Sequence, residues 1–289
     1  MNKLEIIKET RKSAADSLFK TLKKVLKTKQ PISEVEFRDL WLLEMRKNKS
    51  IFPDGWYIPP PHGIIVLFAT DENVGRLDFK SLRKEKNYPR KDVFLNRKKG
   101  LVFLYAGPIN RRGIIGDMEM TLYFGSNKEI INYLKLYYRL IKQIIDFAET
   151  GLTFGTVFEY SEKLFAKHRF VNAIVSRTDP TSKNIGHTIP FIIDEMTLEE
   201  KSILQNEKWD ELCRMVSNRR VFLNAKEEVK IIPNMAFTIE PGIKMKNRAD
   251  MPFIAFHTTV LIHENGEKEL LTGFDRIFQL TGMTYMLNK

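Results

Sequence analysis

Residues 234–243 read NMAFTIEPGI, an apolar run that closes on a glutamate and a Pro-Gly pair. The run suits a buried strand, and Pro241-Gly242 fixes Glu240 at its end. A carboxylate in a strand core is expensive unless it is paired or bound to a metal. Three other stretches break the same rule. FIAFHTTVLI, residues 253–262, is a strand-like run with His257 in its middle. In GDMEMTLYFG, residues 116–125, Asp117 and Glu119 alternate and so share one strand face. In NIGHTIPFIID, residues 184–194, His187 follows a glycine and precedes an apolar run. Taken singly, each has a structural explanation: Asp117 capping a turn, His187 bonded to backbone, Glu240 paired with a lysine, His257 a core histidine with one partner. Together, two imidazoles and two or three carboxylates from distant segments make a ligand set for Mn, Fe, Co or Zn.

Around these stretches the chain reads as alternating helix and strand. Apolar spacing predicts a first helix through AADSLFKTLKKVL, then, after a break at KTKQPIS, a second one capped by Ser33. A loop rich in proline and glycine, FPDGWYIPPPHG, leads into the strand IIVLFAT, and LVFLYAG and DMEMTLYFG follow. The plan then repeats: a long helix in KEIINYLKLYYRLIKQIIDFAE, a break, and a second helix in GTVFEYSEKLFAKH. Two copies of one helical plan, each followed by strands, point to an internally duplicated α/β domain. The end of the chain holds three strand-like runs, the last two joined as a hairpin with Asn265-Gly266 expected to supply positive φ angles.

The composition bounds the function. At 289 residues, 43% hydrophobic and 29% charged, the chain is a globular protein. No window reaches the ~18 apolar residues of a membrane helix. The N-terminus has no signal-peptide core, and the lone Cys213 rules out an intrachain disulfide, so a cytoplasmic location is expected. The net charge of +11 is spread among glutamates along helices, which argues against a nucleic-acid partner.

The sequence resembles the metallopeptidases of the pita-bread fold, which include methionine aminopeptidases, aminopeptidase P, prolidase and creatinase. NMAFTIEPGI is similar to the family's Met-x-Phe-Thr-Ile-Glu-Pro-Gly strand. HTTVLIHENGEKELLT is similar to its Glu-Asp-Thr-Val-Leu-Val-Thr-Glu-Asn-Gly segment, NIGHTIP to Gly-His-Gly-Ile-Gly, and GDMEMTLYFG to Ser-Asp-Ile-Thr-Arg-Thr. The motifs fall in the family's order. The resemblance implies an α/β (α+β) pita-bread fold, with duplicated helix-helix-strand halves around a curved antiparallel sheet. It also implies one catalytic-type domain over residues 1–289, without the N-terminal domain of the prolidase branch.

The family holds two metals through Asp, Asp, His, Glu and Glu. Carried over, Asp117 is the second, bridging Asp, His187 the histidine and Glu240 the first Glu. Two positions depart. The first Asp is expected near Tyr105 or Ala106, where no carboxylate occurs from Gly100 to Gly116, and the last Glu is replaced by His257. The resemblance therefore implies one divalent ion on Asp117, His187, Glu240 and His257. Glu119 is a candidate base, water holder or partial substitute for the missing Asp, or else a salt-bridge partner of a lysine. Of the family's two substrate-handling histidines, one falls on Asp194 and the other near Lys86 or Asn87. His62, in the proline loop, is a further candidate for the cleft, or else an exposed loop residue.

The expected function is that of a divergent metal-dependent hydrolase of the aminopeptidase type, acting on a peptide N-terminus or small amide. Neither a nucleic acid nor a membrane is an expected partner, and a homodimer stays open. The alternative is a non-catalytic pita-bread binding module with a degenerate site. A metal-free creatinase-like chemistry comes last, because Asp117 and Glu240 would then lack a buried counter-charge.

Overall fold

The computed structural model describes residues 2–173 and 178–287. Helix α1 (Lys3–Lys27) buries Leu4, Ile7, Arg11, Ala14, Leu18, Leu22 and Val25, one face at steps of three and four. Helix α2 (Glu34–Met45) begins as expected at Ser33. The Ser33 hydroxyl accepts from the Glu36 N–H at 3.2 Å, and Glu36 Oε2 accepts from the Ser33 N–H at 2.7 Å. This reciprocal pair satisfies two backbone donors that the first turn would otherwise leave open.

Both helices pack near an antiparallel sheet of β1 (Ile64–Thr70), β2 (Gly100–Ala106) and β3 (Met118–Tyr123), with β2 central. Every residue of β2 and β3 is buried; β2 reads as a continuous apolar run, and β3 is apolar apart from Glu119 and Thr121. The helical pair then recurs as α3 (Lys128–Phe147) and α4 (Phe154–Lys167). Beyond it, β4 (Phe170–Asn172) pairs with β6 (Ile243–Met245). A third sheet orders β5 (Ala236–Ile239), β7 (Thr258–Ile262) and β8 (Lys268–Leu271), with β7 between the other two.

Single bridges stitch these sheets into one curved surface. Met120 of β3 faces Phe256, just ahead of β7, and the His257 N–H donates to the Glu119 carbonyl at 2.9 Å. On the far side of β5, Thr188 faces Phe237, and His187 in turn faces Phe222. Helices α5 (Leu198–Gln205) and α6 (Trp209–Asn218) form an excursion between those last two residues. From behind, α3 props the Glu240 turn: Tyr133 donates to the Ile243 carbonyl at 3.2 Å, and Tyr137 to the Pro241 carbonyl.

The final hairpin differs from expectation at its turn. Only Gly266 has a positive φ, 82°, while the Gly266 N–H closes on the His263 carbonyl at 2.9 Å. This is a type I turn followed by a left-handed glycine, so Asn265 keeps an ordinary φ and the loop is longer than two residues. No described helix is long and apolar enough to cross a membrane.

Candidate metal centre

The site residues lie along a row that crosses the strands. Tyr105 of β2 pairs with Glu119 of β3, Glu119 bonds to His257, and the Ile239–Thr258 pair sets Glu240 beside His257. On the other edge of β5, the Thr238 N–H donates to the His187 carbonyl at 2.8 Å. Each residue is thus placed by a different strand pairing. Gly186 makes the last placement possible: its φ is 153°, and a Cβ there would stand 1.9 Å from the Thr238 carbonyl oxygen.

The structure brings Asp117, Glu119, His187, Glu240 and His257 together. Four of them line a cleft of about 110 Å³, and His257 is fully buried beside it. His187 Nε2 is 3.2 Å from Glu240 Oε1 and 4.0 Å from Asp117 Oδ2, and His257 Nε2 is 3.4 Å from Glu240 Oε2. Asp194 and His62 stand apart from the cleft. Asp194 is exposed at the start of the α5–α6 excursion, so its spacing from His187 along the chain does not carry it inward. His62 is partly exposed in its loop, with Nδ1 2.9 Å from Asp54 Oδ1.

The tautomer of His187 follows from one contact. Its Nδ1 is 2.9 Å from the Thr188 carbonyl, which only accepts, so Nδ1 carries the proton. Burial pushes the His187 pKa down to about 3, so the ring is neutral and Nε2 presents a lone pair. That lone pair faces a carboxylate oxygen. Two acceptors at this distance need a proton or a cation between them. His257 is in a similar position, since neither ring nitrogen has a hydrogen-bond partner and burial holds its pKa well below the usual value. A buried N–H without an acceptor costs ~1–3 kcal/mol, an expense that a bound cation would relieve.

The carboxylates carry the complementary signature. Burial raises Glu240 to about 8, with the nearby Asp117 charge adding to the rise, and raises Asp117 to about 7 against the Trp56 indole, which donates to Oδ1 at 2.7 Å. Glu119 is pushed well above the usual carboxylate range by burial and by Glu240 and Asp117. The Thr238 hydroxyl donates to Glu240 Oε1 at 3.1 Å and accepts from the His187 N–H at 2.9 Å, which sets both groups.

As a donor set, two imidazoles and two carboxylates suit one divalent ion. With bonds of ~2.1 Å, neighbouring ligand atoms of a tetrahedral site sit roughly 3.4 Å apart. The His187–Glu240 and His257–Glu240 edges match this spacing, and the His187–Asp117 edge is long. Among the described residues, no three His, Cys, Asp or Glu groups are arranged to hold an ion as they stand. The chemistry fits one ion, and the arrangement is open on the Asp117 side.

Several site residues were not singled out from the sequence. Tyr105 lies near where the resemblance expects the first Asp, and it lines the cleft together with Asp117. Arg220 lines the cleft, stacked 4.8 Å from the Trp56 ring and 4.8 Å from the Phe222 ring. Arg83 lines it as well, 4.2 Å from the Tyr57 ring. Arg11, on α1, donates to the carbonyls of His257 at 3.3 Å and Thr272 at 2.6 Å, tying the first helix to the ligand strand. The alternation Arg220-Val221-Phe222 was the available signal, since it puts Arg220 on the face of Phe222, the partner of His187.

A curved antiparallel sheet carrying a row of imidazoles and carboxylates, with paired helices behind it, defines a metallopeptidase architecture of the pita-bread type. The chain belongs to metallopeptidase family M24, whose sequence model matches residues 18–264. Its fold is similar to that of the X-Pro aminopeptidase from Thermotoga maritima, with a TM-score of 0.59 and 15% identity over 93% of this chain and 60% of that one. The prolidase from Pyrococcus horikoshii gives 0.59 and 14%, covering 93% and 61%. The methionine aminopeptidase from Rickettsia prowazekii gives 0.60 and 15%, covering 93% and 96%. The chain thus spans about three-fifths of the first two structures. No curated protein sequence matches it. At these identities the structural likeness is one of fold.

Proposed function

We propose that the chain is a single-metal hydrolase of the aminopeptidase type, acting on a peptide N-terminus or a small amide. The observation that carries this reading is the His187 Nε2 lone pair facing Glu240 Oε1 at 3.2 Å, with the unpartnered His257 ring 3.4 Å from the other oxygen of the same carboxylate. Family membership supports a metal-dependent peptidase, and the names of the similar structures support a substrate cut near its N-terminus.

Asp117, His187, Glu240 and His257 would hold the ion. When bound, a divalent ion polarises a carbonyl and lowers the pKa of a water to near neutrality. The chain's own groups do the rest. Trp56 and Thr238 orient the carboxylates of Asp117 and Glu240, so that little reorganisation is left for the moment of reaction. Glu119 faces the cleft with a raised proton affinity, which suits a base that takes a proton from water and returns it to the leaving amine. A cleft of about 110 Å³ gives a ligand access to these groups.

One observation favours a second reading, a binding module with a degenerate site: among the described residues no three donor groups are arranged to hold an ion as they stand. Elemental analysis of protein purified without added metal separates the two. About one equivalent, lost in His257→Ala with the fold intact, supports the hydrolase. No metal in the folded wild-type chain refutes it.

A further inference from the structure

Arg220 lines the cleft with its charge sunk among site residues and, among the described residues, no carboxylate to pair with. Its neighbour shows the contrast. Arg219 closes on Glu200 through Nε at 2.6 Å and Nη2 at 2.8 Å, an ordinary two-pronged ion pair. Arg220 makes no ion pair among the described residues. Its Nε donates to the Ser217 carbonyl at 3.3 Å, and Nη2 donates to Thr178 Oγ1 at 2.9 Å and Ser217 Oγ at 3.2 Å. These bonds occupy one side of the fork and leave Nη1 with no acceptor among the described residues. The Trp56 and Phe222 rings, each 4.8 Å from the guanidinium carbon, fix the plane of the fork. The arginine lines the same cleft as Asp117, Glu119, His187 and Glu240.

The charge count gives this placement a purpose. Asp117, Glu119 and Glu240 bring three carboxylates to the cleft, and one divalent ion leaves a single negative charge uncompensated. Tyr105 offers a hydroxyl and His257 an imidazole where a second ion would need carboxylates. We propose that Arg220 is the cleft's fixed second cation, a guanidinium whose free Nη1 binds an anionic oxygen of the ligand beside the metal position. This rests on the hydrolase reading only for the identity of that oxygen. It is either the oxyanion that develops on the attacked carbonyl or a carboxylate carried by the substrate. A planar donor locked between two rings suits either, because the guanidinium reaches it already desolvated and oriented.

The test is calorimetric binding to the full-length chain, as purified and again after chelation, with three probes: inorganic phosphate, dialanine and dialanine amide. Arg220→Met is expected to weaken phosphate binding roughly ten- to a hundred-fold, the range of one hydrogen bond to a charged group. Arg220→Lys, which keeps the charge but loses the fork, is expected to recover part of it and serves if the Met variant does not fold by circular dichroism. Metal content should be unchanged in both variants. A loss for phosphate alone assigns the guanidinium to the reaction's oxyanion. A parallel loss for dialanine, with the amide unaffected, assigns it to a substrate carboxylate. Phosphate binding that is absent in the wild type, or unchanged in folded Arg220→Met and Arg220→Lys, overturns the proposal. If the chain holds no metal yet loses phosphate binding with Arg220, the hydrolase reading fails and the anion site stands.

Discussion

Raising the pH of metal-free protein should destabilise it, and a divalent ion should abolish the effect. Asp117 and Glu240 have folded pKa values of about 7 and about 8, above their ordinary values of 3.8 and 4.5. A carboxyl group shifted upward contributes stability that is fully present below its unfolded pKa. That contribution is lost as the pH climbs through the folded pKa, because the folded state must give up a proton the unfolded chain has already lost. His187 and His257 act in the opposite sense. Their folded pKa values lie below the ordinary 6.5, so they cost stability only as the pH falls beneath that value. The interval from pH 6.5 to 8.5 therefore isolates the carboxylates. Glu240 has about one and a half units to cross and Asp117 about half a unit, which at ~1.4 kcal/mol per unit is about 3 kcal/mol together, and the upward shift of Glu119 adds to the loss. Urea unfolding in EDTA at pH 6.5, 7.5 and 8.5 measures this directly, with slopes checked for constancy. A bound cation keeps both carboxylates ionised in the folded state, so the same series with Mn or Zn should be nearly flat. Stability that is level or rises across this interval in EDTA would refute the reasoning, because the carboxylates would then not be holding protons against burial.

Two substitutions probe single parts of the row. Glu119→Gln removes a proton-transfer group while keeping its shape in a buried position. Hydrolysis of a peptide library should fall ~10²–10⁴-fold, with metal content and melting temperature unchanged or improved; a proportionate loss of metal would make Glu119 a ligand instead. Gly186→Ala places a methyl group 1.9 Å from the Thr238 carbonyl. It should cost more than ~3 kcal/mol in urea unfolding and displace His187, and a variant of wild-type stability would show that β5 yields at this contact.

The local signals in the sequence were read directly. Ser33 followed three residues later by Glu36 announces a helix start, and Pro241-Gly242 fixes the end of a strand, because both depend on neighbours along the chain. Buried charge in an apolar run was equally legible at His257 and Asp117, since its cost does not depend on knowing the partner. What could not be read depends on pairing across the fold. Arg219 and Arg220 are indistinguishable in SNRRVF, and only the bridge from His187 to Phe222 decides that one meets Glu200 and the other the cleft. Asp194 was placed by counting from His187, and the count fails because α5 and α6 interrupt the chain before it returns. The hairpin turn was misjudged for a smaller reason. Asn-Gly permits two left-handed residues but does not require them, and the strand register left room for a longer loop.

That interruption has a consequence for how such a chain can change. The excursion carrying α5 and α6 leaves and re-enters the sheet at one clamp, the bridge between His187 and Phe222. Closing a loop at its base costs entropy that grows only slowly with the length enclosed, about 0.6 kcal/mol per doubling. The excursion can therefore lengthen, shorten or be exchanged while the row keeps its registers. The row and the excursion are separable pieces of chain, so a graft between residues 190 and 216, none of which lines the cleft, should change the outer face of the protein without rebuilding the site.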